Sequence, residues 1–487
     1  MRTRQRVSIV LATALVLSAG VARAQAPGGA PQVPRAGGQP LPAAAPSIGE
    51  GQSLLMGGVP SGSVTPGVLA LSLTDAVARG LKQNLGVIIG EQAVRSAAGT
   101  RWQALSGLLP NAGLTVGQSR GELNLEEYGF PVSPGESPVL GPFEVSALHL
   151  SASAPLFDYA ALARAREGRQ ASDAAVHSLK DSRDLVIFVV ANLYLQAVTG
   201  ASRIEATKAQ VQTAQALYDR AVVEKQAGVV AGIEVLRAQV QLQAQQERVI
   251  FYENEFAKEQ LALQRAVGIP LGQAIVLTDQ MAYAALDGLS LDESLQQAYA
   301  SREDLQSGLA LVRAAEAARQ SAIGEALPSL DVTADLGKSS NAWDTLQSTY
   351  MVGATLRVPI FQGGRVHGRV LEADAQLNEQ RAAIEDLRAR IELEVRTALL
   401  DVRAADDRVR VARSAADLAA QQLAQAQDRF TAGVSSNIEV VEAQETVATA
   451  TDNYLSALNA HNMAKISFAR ALGLSEERIR QYLGGTK

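Results

Sequence analysis

The amino-acid sequence is a tandem duplication, which restricts the chain to folds built from two similar halves. Short motifs recur at a spacing of 218 residues near the start of each copy and of 205 residues near its end: Leu71-Ser72-Leu73 as Leu289-Ser290-Leu291, and Ala227-Gly228-Val229 as Ala432-Gly433-Val434. We therefore predict a first structural repeat over residues 68–270 and a second over residues 271–475. Residues 476–487 are then a C-terminal tail.

Each repeat contains one very long stretch that is suited to a single helix. Residues 365–432 contain no proline and one glycine, and the first repeat has a matching stretch over residues 160–226. From Ile384, steps of three and four residues reach Phe430 through apolar positions only, with a mean step near the coiled-coil value of about 3.5. At about 1.5 Å per residue, such a helix is roughly 100 Å long. A second apolar stripe predicts neighbours on two sides: Leu393, Ala404, Val411, Ala415 and Leu418.

A pair of strands is predicted ahead of each long helix. The preceding helix ends at Pro110 in the first repeat and at Pro328 in the second, because proline cannot continue a helix. Alternating apolar residues then predict two strands of about ten residues in the second repeat: Leu330, Val332, Ala334 and Leu336, followed by Tyr350, Val352, Ala354, Leu356 and Val358. The first repeat has a weaker alternation and extra residues in segment 122–142. About ten residues is also the length of a tilted strand that crosses a bilayer.

Four strands in one chain cannot close a barrel, and open strand edges are not tolerated in lipid. Three copies would supply about twelve strands, a number found in closed outer-membrane barrels. The sequence therefore predicts a mainly α-helical chain with a small β part, in which three copies complete a transmembrane barrel.

The N-terminal residues are typical of an exported protein. Residues 1–24 combine a basic start, an apolar stretch and the small-residue cleavage site Ala22-Arg23-Ala24, the layout of a signal peptide. Residues 25–67 contain 10 Gly and 8 Pro in 43 positions, a composition that predicts a flexible leader. No later segment reaches about 18 consecutive apolar residues, so no transmembrane helix is predicted.

Composition excludes several classes of chemistry. The chain has no cysteine and four scattered histidines, which excludes disulfides, thiolate metal sites and a cysteine-linked lipid anchor. Without the signal peptide it has 40 basic and 50 acidic side chains, because four of its 44 Lys and Arg residues and none of its acids precede residue 25. This acidic balance argues against nucleic acid as a partner. We expect neither a cofactor nor enzymatic activity.

Two local features invite a chemical interpretation and are judged structural. Gly337-Lys338-Ser339 matches the end of a phosphate-binding loop, but Val332 stands where that motif needs glycine, and a loop instead of a helix follows. His461 lies in a polar helical stretch and is predicted to be a surface residue.

The duplicated plan and its motifs resemble the TolC-like outer membrane efflux protein family. The resemblance covers about residues 69–475 and depends on the order of these motifs: Leu109-Pro110 and Leu327-Pro328 as helix stops, Pro359-Ile360-Phe361-Gln362-Gly363-Gly364-Arg365 before the long helix, Ala432-Gly433-Val434 at the turn, and Leu472-Gly473 at the end. It implies a homotrimer in the outer membrane of a Gram-negative bacterium, with a twelve-stranded β-barrel continued by a long α-helical barrel in the periplasm. It also implies docking onto a periplasmic adaptor and an inner-membrane transporter, in an efflux or type I secretion system.

The resemblance also assigns the residues of the helical tip. It implies that the turns at Gly228-Val229 and Gly433-Val434 meet the adaptor, and that Glu439 and Glu442 ring the periplasmic entrance. The solvated start of a helix, where acids are favoured by the helix dipole, remains the alternative for these two acids.

The first repeat, and two positions near the turn of the second repeat, depart from this pattern. Glu234 aligns with Glu439, whereas Arg237 replaces the second acid of the first repeat. Phe430 and Ser435 stand where relatives have a tyrosine and an arginine that hold the closed state, so another contact must do so here.

The function predicted from the sequence is a passive outer-membrane export channel. The alternative is a periplasmic coiled-coil scaffold or adaptor without a pore. The two differ in the strand pairs, because adaptors carry compact β-domains beside one helical hairpin, whereas this sequence places a short strand pair in each repeat.

Overall fold

The computed structural model describes residues 57–129, 131, 135–286, 288 and 290–473. The predicted signal peptide, the predicted tail and most of the predicted leader lie outside these residues. The first repeat contains β1 (Leu69–Leu71), α1 (Leu73–Gln83), α2 (Leu85–Ser106), β2 (Asn111–Asn124), a 3-10 turn (Leu125–Tyr128), β3 (Val139–Phe157), α3 (Tyr159–Gln226) and α4 (Gly232–Ala266). The second contains β4 (Ile275–Leu277), α5 (Leu291–Ser301), α6 (Glu303–Gly324), β5 (Ser329–Ser340), β6 (Gln347–Arg357), α7 (Arg365–Thr431) and α8 (Asn437–Ala471).

The helices of the two repeats match in length. The long helices α3 and α7 have 68 and 67 residues, and α4 and α8 have 35 each. At about 1.5 Å per residue the long helices measure roughly 100 Å, as the sequence predicts. The side-chain nitrogen Nδ2 of Asn84, at the start of α2, donates to the carbonyl of Ala266, at the end of α4, across 3.3 Å. The shorter helices α2 and α4 therefore stack end to end beside α3.

The four long strands form one antiparallel sheet in the order β2-β3-β5-β6. The hairpins of the two repeats are joined where β3 pairs with β5, for example at His149 and Gly337. The strands have 14, 19, 12 and 11 residues. The two strands of the second repeat thus match the predicted length of about ten residues, and those of the first repeat are longer. Its extra residues extend β2 and β3 beyond the level at which β5 ends.

The core of the first repeat lies where α1, α3 and α4 meet the short parallel pair of β1 and β4. Val186, Val190 and Tyr194 of α3 are almost fully buried there. An 18-residue window of α3 has a mean hydropathy of 1.7, apolar enough for a membrane-spanning helix, and 56% of it is buried inside the protein. Its apolar character is thus used in packing helices together.

The last residues of the predicted leader are part of the folded structure. The backbone of Val59 bonds to Gln83 across 2.8 Å, and that of Ser61 to Gly268 across 3.0 Å. The side chain of Gln273 bonds to the backbone of both Thr65 and Gly67, at 2.9 and 2.7 Å. The prediction of a flexible leader is therefore wrong for residues 57–67, which bind across the end of the first repeat.

Candidate functional site

The two chain reversals lie at one end of the helices and have the same geometry. Gly228 and Gly433 have φ values of 74° and 72°, a left-handed conformation that glycine adopts without strain. Val229 and Val434 each donate a backbone hydrogen bond to the carbonyl five residues earlier, across 2.8 and 3.0 Å. Both valine side chains are more than 70% exposed. The duplicated turn motif thus produces two matching turns, each with an exposed apolar side chain.

The two acids of the second repeat differ in their surroundings. Glu439 lies 3.2 Å from the guanidinium of Arg429, so a cation across the turn partly neutralises it. Glu442 is exposed, and among the residues that the structure describes it has no ion-pair partner. It borders a groove between α7 and α8, together with Glu445. Glu442 is therefore the less neutralised of the two predicted entrance acids.

The acid of the first repeat is paired within its own helix. Glu234 accepts a hydrogen bond from Arg237 across 2.7 Å, three residues further along α4. Because Arg237 occupies the position that matches Glu442, the two hairpins carry different charge at the same level. The structure thus pairs Arg237 with Glu234, the acid of its own helix.

Phe430 has a contact that the sequence analysis missed. The guanidinium of Arg220 lies over its ring, 4.9 Å from the centroid, and donates to Thr431 Oγ1 across 3.2 Å. Arg220 belongs to α3, whereas Phe430 and Thr431 end α7, so this contact joins the tips of the two repeats. The available sequence signal was an arginine near the end of α3 and an aromatic residue near the end of α7. Ser435 Oγ is buried and has no hydrogen-bond partner among the described residues.

The two helical hairpins meet above the tip through polar side chains. Arg203 of α3 donates to Asp452 of α8 across 2.8 Å, and Arg248 of α4 pairs with Glu445 of α8. A cavity of about 300 Å³ lies at the level of these contacts, lined partly by the buried amides Gln245 and Gln444. The contact between the two hairpins thus contains a gap.

The prediction that His461 is a surface residue is wrong. His461 and Lys465, one turn apart on α8, are 0% and 1% exposed. Both lie within hydrogen-bond distance of the carbonyl oxygen of Ala284, at 3.2 and 3.0 Å. The segment before α5 covers them, and Tyr283 packs against the imidazole. Burial lowers the pKa of His461 and lowers that of Lys465 to about 8.

Comparison with known proteins identifies the family. The family model described as outer membrane efflux protein matches residues 81–269 and 294–474, once in each repeat. The chain belongs to this family. The assignment made from the sequence motifs is therefore confirmed, together with the outer-membrane location and the function of an export channel.

Two curated relatives come from Pseudomonas aeruginosa. The pyoverdine export outer membrane protein OpmQ is 27% identical over 422 residues, which cover 82% of this chain and 84% of the relative. The alkaline protease secretion protein AprF is 24% identical over 342 residues, 69% of each chain. Both are named as export or secretion proteins rather than enzymes.

Solved structures confirm the fold. The Campylobacter jejuni CmeC outer membrane channel matches with a TM-score of 0.72 at 18% identity, over 92% of this chain and 98% of that one. The outer membrane protein VceC of Vibrio cholerae matches with a TM-score of 0.70 at 17% identity, over 82% and 96%. This outer membrane efflux protein therefore has the mainly helical fold with a small sheet that its sequence predicts.

Proposed function

We propose that three copies of the chain form a continuous passive conduit, which carries out no chemistry on its cargo. The observation that carries the proposal is the open four-stranded sheet, because β2 and β6 are its edges within the chain. An exposed strand edge leaves unpaired N–H and C=O groups, which lipid cannot satisfy. Pairing β6 of one copy with β2 of the next closes a sheet of about twelve strands.

The helices support the same assembly. α3 contacts α4 and α8, and α8 contacts α7, so α4 and α7 are the outer members of this set. Val411 and Leu418 of α7 are 71% and 61% exposed, and Val240 and Ile250 of α4 are 66% and 69% exposed. Apolar stripes on both outer helices favour contact with neighbouring copies. Leu393, Val411 and Leu418 belong to the second stripe, for which the sequence predicts a neighbour.

The exposed turns are the proposed docking surface for a periplasmic adaptor, which links the channel to an inner-membrane transporter. Val229 and Val434 supply an apolar contact on each turn, and in a trimer the turns alternate around the rim. Replacing both valines with aspartate should abolish cross-linking to the adaptor and leave the trimer intact, because the side chains touch little within the chain. Retained cross-linking in this double variant would contradict the docking surface.

Glu439, Glu442 and Glu234 are the proposed acids of the periplasmic entrance. Since Arg429 and Arg237 lie beside Glu439 and Glu234, Glu442 contributes most of the net negative potential. Three copies of a carboxylate near one axis favour cations at a narrow opening.

The trimer is tested by electrophoresis and native mass spectrometry of the protein extracted from outer membranes. Unheated samples should migrate as a trimer that heating converts to the monomer. The measured mass should be that of a chain that begins at Gln25, after removal of the signal peptide. A monodisperse monomer in mild detergent would overturn the proposal.

A further inference from the structure

His149 and Asp335 form a pair on one face of the sheet. His149 of β3 lies opposite Gly337 of β5, and its Nδ1 lies 2.9 Å from Oδ1 of Asp335. An ionised carboxylate can only accept, so Nδ1 carries the proton of this hydrogen bond. Both side chains remain partly exposed, at 39% and 35%.

Gly337 lies directly beside the imidazole of His149 on the sheet. A Cβ atom at this position would lie 2.8 Å from Nδ1 of His149 and 2.9 Å from Oγ1 of Thr349. Any side chain here would have to displace the imidazole or the Thr349 hydroxyl, so glycine leaves room for the ring against β5. The glycine that resembled part of a phosphate loop is thus explained by the neighbouring strand.

The alternation of the strands assigns this pair to the polar face. Leu150, Leu336 and Tyr350 lie in one row across β3, β5 and β6, and each is at least 46% exposed. His149 and Gly337 occupy the adjacent row, so His149 points to the opposite face. In a closed membrane barrel the apolar face meets lipid and the polar face lines the pore.

The charged groups around His149 come mainly from β5. Asp335 contacts it directly, and Asp331 lies on the same face, four residues closer to the helices along the strand. β2 places Thr115 opposite His149, and β6 places Thr349 in the same row. Arg357 lies at the far end of β6. Asp335 is therefore the acid that contacts His149 on this face of the described strands.

We propose that the His149–Asp335 pair lines the barrel and that its carboxylate makes the channel favour cations. The inference rests on the trimeric barrel proposed above, in which three such pairs surround the pore. Three carboxylates on the wall favour cations over anions, and the hydrogen bond from His149 holds each of them in place. Gly337 lies near the end of β5 away from the helices, so the pairs lie near the external mouth of the barrel.

The test is the reversal potential of the trimer in planar bilayers under a potassium chloride gradient at neutral pH. Asp335→Asn should be less cation-selective than the wild type. His149→Gln, which keeps a hydrogen-bond donor for Asp335, should remain cation-selective. His367→Gln, which changes an exposed histidine outside the sheet, should behave as the wild type.

A second measurement tests the face directly and uses the absence of cysteine from the chain. His149→Cys should react with a charged, membrane-impermeant methanethiosulfonate reagent and change the conductance. The neighbouring variant Leu150→Cys should not. Conducting channels of Asp335→Asn with the cation selectivity of the wild type would overturn the inference and leave the proposed function standing. Absence of channels in the wild type would instead count against the trimeric barrel.

Discussion

Arg220, near the end of α3, lies over the ring of Phe430, 4.9 Å from the guanidinium carbon to the ring centroid. The two residues belong to different repeats and are distant in sequence, because three helices and the strands of the second repeat lie between them in the chain. Arg220 also donates to Glu224 across 2.7 Å, which holds its side chain in place. This contact links the tips of the two repeats within one copy of the chain.

Replacing Arg220 with Gln should loosen the closed tip. The change removes a cation–π contact worth about 0.5–1 kcal/mol at an exposed site, in three copies per channel. Single-channel recordings should give a higher mean conductance or more frequent opening. Arg220→Lys, which keeps a cation near the ring, should lie closer to the wild type. Identical recordings for Arg220→Gln and the wild type would show that the contact does not restrain the tip.

Replacing Glu442 with Gln should weaken block by multivalent cations more than replacing Glu439 with Gln, because Arg429 already offsets Glu439. The fold should be retained, since an acid at an exposed helix start contributes only about 0.3–1 kcal/mol. The measurement is block by cobalt hexammine in planar bilayers. Glu385→Gln, far from the tip on α7, is the matched control. Equal effects of Glu442→Gln and Glu385→Gln would make Glu442 an ordinary solvated residue.

Replacing Lys465 with Met should stabilise the protein at neutral pH. Burial lowers its pKa from 10.5 to about 8, so the folded state disfavours the charged form. Stability therefore falls as pH falls from 10.5 towards 8, and the full cost remains at lower pH. That cost is on the order of 3 kcal/mol at most. The apparent melting temperature of the variant should exceed that of the wild type at pH about 7, by more than at pH about 10. A lower melting temperature at neutral pH would mean that the bond to Ala284 outweighs the burial.

Replacing Arg302 with Met should destabilise the second repeat. The guanidinium is 4% exposed, lies 2.7 Å from Asp304, and also pairs with Glu394 of α7. Burial disfavours its charge, but the hydrogen bonds that the guanidinium donates to these carboxylates more than compensate and raise the pKa of Arg302. Removing one partner of a buried pair costs about 3–5 kcal/mol. Arg388→Met, in an exposed pair with Glu385, should change the melting temperature little. Equal falls in melting temperature for Arg302→Met and Arg388→Met would show that the buried pairs of Arg302 do not stabilise the second repeat.

Replacing Leu418 with Asp should prevent trimer formation without unfolding the chain. The side chain is 61% exposed within one copy and lies on the stripe assigned to a neighbouring copy. A carboxylate buried in that contact would be unpaired and costly. Native mass spectrometry should find monomers with unchanged helix content by circular dichroism, whereas Leu418→Ala should still assemble in part. A normal amount of trimer in Leu418→Asp would place this stripe outside the interface.

The helices could be predicted from the sequence because their signals are local. The spacing of apolar residues along α7, the absence of proline, and the glycines at 228 and 433 act within a few turns of the chain. The strands of the first repeat were harder, because glycine and proline in segment 122–142 interrupt the alternation that identifies β2 and β3. Their length depends on pairing between strands that are distant in sequence.

By itself, the sequence determined the duplicated plan, the lengths of the helices, the positions of the tip turns and the family. These properties follow from periodicity, turn residues and self-similarity, which need no knowledge of neighbours in space. Only the tertiary structure decided that Arg220 meets Phe430, that Lys465 is buried under residue 284, and that His149 lies against Gly337. Each of these contacts joins residues more than a hundred positions apart, so burial and partner are set by how distant parts of the chain pack together.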